Sequence, residues 1–157
     1  MSRINHVFHK IYLHITWHCK DDLPQIKPEI EPNLYQFIKE YCQKNKGTHL
    51  KGIGGTEDHI HLAMQIEPFV LLSDFISKIK GTSSYYINQK YGKNTLDWQR
   101  GYGVASFAEK NLDFVLEYIN NQKTHHQKGT INKVLEQHYQ IMEELKQFAE
   151  SRSQKPG

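Results

Sequence analysis

The order of strand-like and helix-like segments constrains the fold of this chain most. Residues 9–18 alternate apolar and polar side chains, which predicts a half-buried strand. Helical spacing follows over residues 32–46, and strand patterns at 48–53 and 59–66 indicate a hairpin turned by Gly54-Gly55. A second helix is predicted over residues 72–91, and an edge strand over residues 101–107. This order predicts an α+β fold, a ferredoxin-like antiparallel sheet with helices on one face.

The C-terminal part of the sequence adds only helical patterns. Residues 111–128 predict a third helix, and residues 131–148 a fourth one after Gly129. We therefore expect a C-terminal helical extension of the sheet. A length of 157 residues suits one hydrophobic core, so we expect one domain over residues 1–150 and a disordered tail over residues 151–157.

The composition argues against several classes of protein. Polar residues interrupt the segment 4–15, and no apolar run is long enough to span a bilayer, so we expect a cytoplasmic protein without a membrane partner. Cys19 and Cys42 are far apart and form no CxxC pair. Neither a disulfide framework nor a thiolate metal site is therefore expected.

The charge distribution hints at a nucleic-acid partner. The net charge is only +3, but residues 71–130 carry eight lysines and arginines against five aspartates and glutamates. Such a local excess fits a surface that follows a phosphate backbone, although fluctuations of this size are common. Within this region Lys78, Lys80, Thr82 and Ser83 could bind phosphate, but a solvated helix face explains them equally well.

Two histidines stand two residues apart on the predicted strand 59–66. Side chains two apart on a strand share a face, so His59 and His61 form a rigid pair of potential ligands for a divalent metal ion. Polar residues on a solvated sheet face would show the same spacing. A metal site would need a third ligand from elsewhere in the chain.

The predicted third helix offers such a ligand. Tyr118 and Gln122 are four residues apart and would project from one helical face. Gln122 could provide a carbonyl oxygen beside the histidines, and Tyr118 would then lie beside the metal as a nucleophile. Alternatively, Tyr118 is an aromatic residue at the edge of the core and Gln122 is a surface amide.

Three motifs together resemble a known family. They are Asp58-His59-Ile60-His61-Leu62, the segment Trp98–Val104, and Tyr118-Ile119-Asn120-Asn121-Gln122 followed by His125-His126. In this order, over about residues 9–130, the chain resembles the single-tyrosine HUH transposases of small bacterial insertion sequences. Their relatives associated with repetitive extragenic palindromes are particularly similar. The HUH pair alone is a weak signal, whereas the combination is specific.

The resemblance implies a mechanism and a set of site residues. His59, His61 and Gln122 would bind Mg²⁺ or Mn²⁺, and Tyr118 would attack a DNA phosphate and form a 5′-phosphotyrosine link. Asp58 would orient a ligand histidine, although a role in the turn is equally compatible. The expected partners are single-stranded DNA with hairpin structure and a second copy of the chain, as a homodimer.

Further residues are candidates by chemistry and position alone. The candidates for DNA contact are Lys78, Lys80, Thr82, Ser83, Arg100, Tyr102 and Lys123, with Lys110, Lys128, Tyr85 and Tyr86 as further options. No spacing recommends His14 or His18, and no general base is evident. A catalytically silent protein that binds hairpin DNA is the main alternative function. A hydrolytic phosphoesterase is disfavoured because no HxHxH or HxHxDH run is present.

Overall fold

The computed structural model of the protein describes residues 7–129, apart from the side chains of His125, His126 and Lys128. The elements in chain order are β1 (Ile11–His18), α1 (Glu31–Lys44), β2 (Thr48–Gly55), β3 (His59–Ile66), α2 (Leu72–Tyr91), β4 (Gly103–Phe107), α3 (Leu112–Asn120) and α4 (Gln122–Lys128). Two short 3-10 helices span Lys20–Asp22 and Glu109–Asn111. The predicted fourth helix and tail lie outside the described residues, so the domain boundaries stay predictions.

The four strands form one antiparallel sheet in the order β2-β3-β1-β4. The two central strands, β1 and β3, pair along their whole length, with His18 opposite His59 and Thr16 opposite His61. This order confirms the predicted ferredoxin-like arrangement. It also places the HUH strand in the interior of the sheet, where both neighbours fix its backbone.

The main hydrophobic core lies between one face of the sheet and helices α1 and α2. Ile15 and Trp17 of β1 and Leu62 of β3 are fully buried on this face. Four apolar side chains of α2 are buried in this core: Phe75, Ile76, Ile79 and Ile87. Burying a large aliphatic side chain contributes about 1.5–3 kcal/mol, so this layer supplies most of the hydrophobic stabilisation.

The opposite face of the sheet is buried as well, which the alternating pattern of β1 did not predict. Its polar-face side chains are all shielded from solvent: Tyr12, His14, Thr16 and His18. Helix α3 packs across β2 and β3 on this side, where Val115 and Ile119 contact Ala63. The expectation of a half-buried strand was wrong because the C-terminal helices return over the second face.

Glycines in β2 allow α3 to lie directly on the sheet. The strand continues through Gly54 and Gly55, so the predicted turn at these residues was wrong and the chain reverses over residues 56–58 instead. Gly54 pairs with His61, and a Cβ at Gly54 would collide with the backbone carbonyl of Ile119. Glycine within a strand often marks such a close backbone approach.

The C-terminal helical region is broken where one helix was predicted. Helix α3 ends at Asn120, and Asn121 leaves the helical region with φ −103° and ψ 21° before α4 begins. The predicted span of the third helix, residues 111–128, was therefore wrong. The break redirects the chain immediately before Gln122.

The remaining boundaries differ little from expectation. Helix α2 has the predicted span and runs through Gly81 without interruption. Strand β4 begins at Gly103, two residues later than predicted. Among the described residues, no helix is long and apolar enough to cross a membrane.

The contact between Gly54 and α3 predicts a position-specific effect of an added methyl group. Gly54→Ala should lower the free energy of unfolding by about 1–3 kcal/mol, because the helix backbone must move to accept a Cβ. Gly81→Ala is the matched control, since a Cβ there meets no atom within 4 Å and should stabilise α2 by up to about 1 kcal/mol. Denaturant titration measures both, and equal stability of the two variants would contradict this packing.

Candidate active site

The two predicted metal-ligand histidines lie side by side on the α3 side of the sheet. His59 and His61 are both buried, and their ring centroids are 5.0 Å apart with the planes nearly perpendicular at 77°. Because β3 is a central strand, both imidazoles project from backbone that is hydrogen-bonded on either side. This placement gives the pair the rigidity that a ligand site requires.

The turn before β3 fixes the ring of His59. Its Nδ1 donates to Asp58 Oδ1 at 2.5 Å, and Thr56 Oγ1 donates to the same carboxylate oxygen at 2.9 Å. Burial raises the pKa of Asp58, but its hydrogen bond and charge attraction with His59, with help from Thr56 and His18, outweigh burial and leave the pKa below its ordinary value. An ionised Asp58 therefore engages Nδ1 and directs Nε2 of His59 to the opposite side.

Gln122 faces that Nε2. It is the first residue of α4, only 1% exposed, and its Oε1 lies 3.3 Å from His59 Nε2. The amide nitrogen of Gln122 donates to the backbone carbonyl of Tyr118 at 3.4 Å. This bond orients the amide so that its oxygen, the atom able to bind a metal, points at His59.

Tyr118 lies against the second histidine of the pair. Its ring centroid is 6.2 Å from that of His61, the two planes meet at 88°, and the tyrosine is only 4% exposed. Four predicted site residues from two distant segments are thus brought into one buried cluster: His59, His61, Tyr118 and Gln122. Helix α3 carries Tyr118 into this cluster because Gly54 admits the helix backbone.

Two further histidines of β1, which no spacing along the chain recommended, belong to this cluster. His14 Nε2 lies 2.7 Å from His61 Nδ1, with the ring centroids 4.8 Å apart. His18 stacks on His59 at 4.8 Å with an interplanar angle of 18°, and its Nδ1 donates to Asp22 at 3.0 Å. Spacing along the chain could not identify these two histidines. Their shared face on a strand that pairs with β3 could have identified them.

The donor atoms fit a divalent metal ion in two overlapping ways. His59, His61 and Gln122 offer imidazole nitrogen and amide oxygen, and a second group, His18, Asp58 and His59, has its donor atoms within 4.8 Å of one another. Both sets include His59. Each set combines nitrogen ligands with a hard oxygen ligand, and divalent metal ions bind both kinds of ligand. Asp58 already occupies Nδ1 of His59, which favours the set on the Nε2 side.

A surface cleft borders this cluster on the side of the turn before β3. Its volume is about 590 Å³, and Thr56, Asp58 and Lys123 are among the residues that line it. The cleft therefore leads from solvent to the carboxylate that orients His59.

Three of the candidate DNA-contact lysines have partners within the chain. Lys78 pairs with Asp74 at 2.9 Å, and Lys123 pairs with Glu31 at 2.9 Å, so the second pair joins α4 to α1. Lys80 donates to the backbone carbonyls of residues 99 and 101, and burial lowers its pKa to about 8. Exposed ion pairs contribute about 0.2–1 kcal/mol, so phosphate could compete for Lys78 and Lys123.

Of the other candidates Ser83 is buried, whereas Thr82, Arg100 and Tyr102 are exposed. Thr82 Oγ1 donates to the carbonyl of Lys78 at 2.7 Å, and the fully buried Ser83 accepts the indole N–H of Trp98 at 3.0 Å. The Thr82 hydroxyl is thereby bonded within α2, and the Ser83 hydroxyl links α2 to the segment that follows it. Arg100 and Tyr102 are exposed beside that segment.

Comparison with known proteins identifies relatives that cover most of the described region. The family model described as "Transposase IS200 like" matches residues 7–122. The transposases for insertion sequence element IS200 of Salmonella typhimurium and Salmonella typhi are each 32% identical over 127 residues, which is 72% of this chain and 82% of each relative.

Solved structures share the fold at low sequence identity. A candidate transposase from Deinococcus radiodurans superposes with a TM-score of 0.62 at 20% identity, covering 78% of this chain and 98% of that one. A REP-associated tyrosine transposase bound to a REP hairpin gives a TM-score of 0.56 at 13% identity, covering 83% and 76%. From the family match and the curated relatives, the chain belongs to the IS200-like transposases, enzymes that cleave DNA and transfer its strands.

Proposed function

We propose that this transposase cuts and rejoins single-stranded DNA near hairpins, through a covalent 5′-phosphotyrosine intermediate on Tyr118. The observation that carries the proposal is the buried cluster in which Tyr118 lies against His61 while Gln122 faces His59. A tyrosine beside histidine and amide donors is the arrangement expected for attack on a phosphate held by a metal ion.

The reaction would use Mg²⁺ or Mn²⁺ held by His59, His61 and Gln122. Such an ion withdraws charge from a non-bridging oxygen of the scissile phosphate and orients the phosphate for in-line attack. Asp58 holds the ring of His59, and the bond from Gln122 to the Tyr118 carbonyl keeps the amide oxygen turned inward. Both contacts would preserve the ligand geometry between catalytic cycles.

The chemical step forms one bond and breaks one. The Tyr118 oxygen bonds to phosphorus, the bond from phosphorus to the 3′ oxygen breaks, and the leaving strand keeps a 3′-hydroxyl. The phenol proton passes to water, since an ordinary tyrosine has a pKa of about 10 and must lose its proton during attack. The departing 3′ oxygen takes up a proton from water and becomes the 3′-hydroxyl. A second 3′-hydroxyl can then attack the phosphotyrosine and release Tyr118, so strands are exchanged without a high-energy cofactor.

Hairpin DNA is the proposed partner. The REP-associated relative of similar fold was solved with a REP hairpin, which supports the same ligand class for this chain. The cleft beside Asp58 and Lys123 is the proposed route of the strand to Tyr118. Lys78, Arg100 and Tyr102 remain candidate contacts because their side chains are exposed.

We propose that Tyr118 serves the histidines of its own chain. Its ring is 6.2 Å from His61 of the same chain, and the glycine contact of β2 holds α3 in this position. A homodimer stays a prediction from the resemblance, and sedimentation velocity measures it. In such a dimer each subunit would contain a complete site.

Covalent capture of DNA should depend on the Tyr118 hydroxyl. Wild-type protein mixed with 3′-labelled single-stranded hairpin DNA from the flanks of its gene should give a denaturant-resistant labelled band with Mn²⁺ and none with EDTA. Tyr118→Phe should abolish the band and still bind the DNA, because only the nucleophilic oxygen is removed. Tyr91→Phe, at a tyrosine that is 37% exposed at the end of α2, is the matched control and should react normally.

The same assay separates the proposal from its alternatives. Tight binding without any adduct by the wild-type protein would favour a catalytically silent hairpin-binding protein. An adduct that persists in Tyr118→Phe would rule out this nucleophile, and cleavage without adduct would indicate hydrolysis.

Mixing two inactive variants should distinguish the two placements of the tyrosine. Tyr118→Phe and His59→Ala chains, co-refolded so that subunits exchange, should form no adduct, because no single chain then has both groups. If instead the tyrosine acted across a dimer, mixed dimers would contain one intact site. Recovery of adduct in the mixture would therefore contradict action within one chain.

A further inference from the structure

We infer that His14 is a positioning residue that holds His61 in the tautomer and orientation needed to bind a metal ion. The inference deepens the proposed function and rests on the ligand role proposed there for His61. Neither ring is accessible to solvent, since His14 is 1% and His61 0% exposed, and their nitrogens Nε2 and Nδ1 are 2.7 Å apart. Two buried histidines at this distance form a well-ordered hydrogen bond.

Strand pairing makes this contact specific. His14 lies opposite Ala63, and His61 lies opposite Thr16, so the two imidazoles are diagonal neighbours on one face of β1 and β3. Diagonal side chains in an antiparallel pair are within reach when both are long or aromatic. The small side chains of Ala63 and Thr16 leave room for the two rings to meet through their nitrogens.

The hydrogen bond constrains which nitrogen of His61 carries the proton. A bond between two neutral imidazoles needs one N–H donor and one lone-pair acceptor. A metal ligand must offer a lone pair, and His61 can offer it at Nε2 only if its proton is on Nδ1. We therefore assign Nδ1 of His61 as the donor and Nε2 of His14 as the acceptor.

His14 thus does for His61 what Asp58 does for His59. Asp58 accepts from Nδ1 of His59 at 2.5 Å, and His14 contacts Nδ1 of His61 at 2.7 Å. In each case the ring is held through Nδ1 so that Nε2 can serve as the ligand. The partner of His61 is a neutral ring rather than a carboxylate, so it fixes the proton without adding a negative charge.

The variants that test the inference differ in whether they keep an acceptor at position 14. His14→Leu removes the acceptor and should weaken Mn²⁺ binding about 10- to 100-fold, the usual effect of losing a partner behind a ligand histidine. His14→Gln places an amide oxygen near the former Nε2 and should restore most of the affinity. Electron paramagnetic resonance titration of Mn²⁺ with the full-length chain measures each value.

Thr16→Val is the matched control. Thr16 is buried on the same face of β1, and its hydroxyl donates to the carbonyl of Ile60 at 2.8 Å rather than to a ring nitrogen. This variant should lose stability through a buried hydrogen bond while keeping the Mn²⁺ affinity of the wild type. If His14 had only a structural role, His14→Leu would also lose stability while keeping the Mn²⁺ affinity of the wild type.

Nitrogen-15 chemical shifts of the histidine rings give a second measurement that needs no metal. In the metal-free wild-type protein, His61 should carry its proton on Nδ1, and His14→Leu should shift the population toward the other tautomer. A wild-type His61 with its proton on Nε2 would overturn the inference even if no leucine variant folds.

The outcomes separate this inference from the proposed function. Wild-type Mn²⁺ affinity in His14→Leu, with His61→Ala impaired, would reject the positioning role and leave the metal site intact. Absence of saturable Mn²⁺ binding by the wild-type protein would instead reject the proposed site and the positioning role together.

Discussion

The in-register pairing of β1 with β3 is the constraint on which the candidate site depends. It sets His18 opposite His59 and Thr16 opposite His61, and it makes His14 the diagonal neighbour of His61. A shift of one residue would turn every side chain of β1 to the other face and remove both histidines from the cluster. The apolar side chains on the opposite face, such as Trp17 and Leu62, lock the register because they are buried between the sheet and its helices. Packing of the hydrophobic core on one face of the sheet thus fixes the positions of the histidines on the other face.

The second requirement is that the C-terminal helices reach the same face. Gly54 provides the necessary space, because any side chain there would meet the backbone of Ile119. Tyr118, the residue before this contact, is then set against His61, and the break at Asn121 turns the chain so that Gln122 faces His59. Backbone packing at a residue without a side chain therefore determines where the proposed nucleophile and the proposed third ligand lie.

The fold, and the proximity of the four candidate site residues, could be predicted from the sequence, whereas the histidines of β1 around them could not. Local periodicity identified every strand and helix α2, and the resemblance placed His59, His61, Tyr118 and Gln122 together. His14 and His18 were missed because their proximity to His61 and His59 arises from strand pairing at sequence separations of 47 and 41 residues, which no local pattern contains. The charge excess over residues 71–130 was also a poor guide to a free surface, since Lys78 and Lys80 bond to groups of the chain itself. The close approach at Gly54 was likewise invisible, because a glycine pair also predicts a turn.

We propose that His59, His61 and Gln122 form one metal site beside Tyr118. Anomalous diffraction from crystals of the full-length protein soaked in Mn²⁺ would locate the ion. We expect one strong peak within bonding distance of His59 Nε2, His61 Nε2 and Gln122 Oε1. A peak bound instead by His18, Asp58 and His59, the other donor set of the structure, would rule out this site.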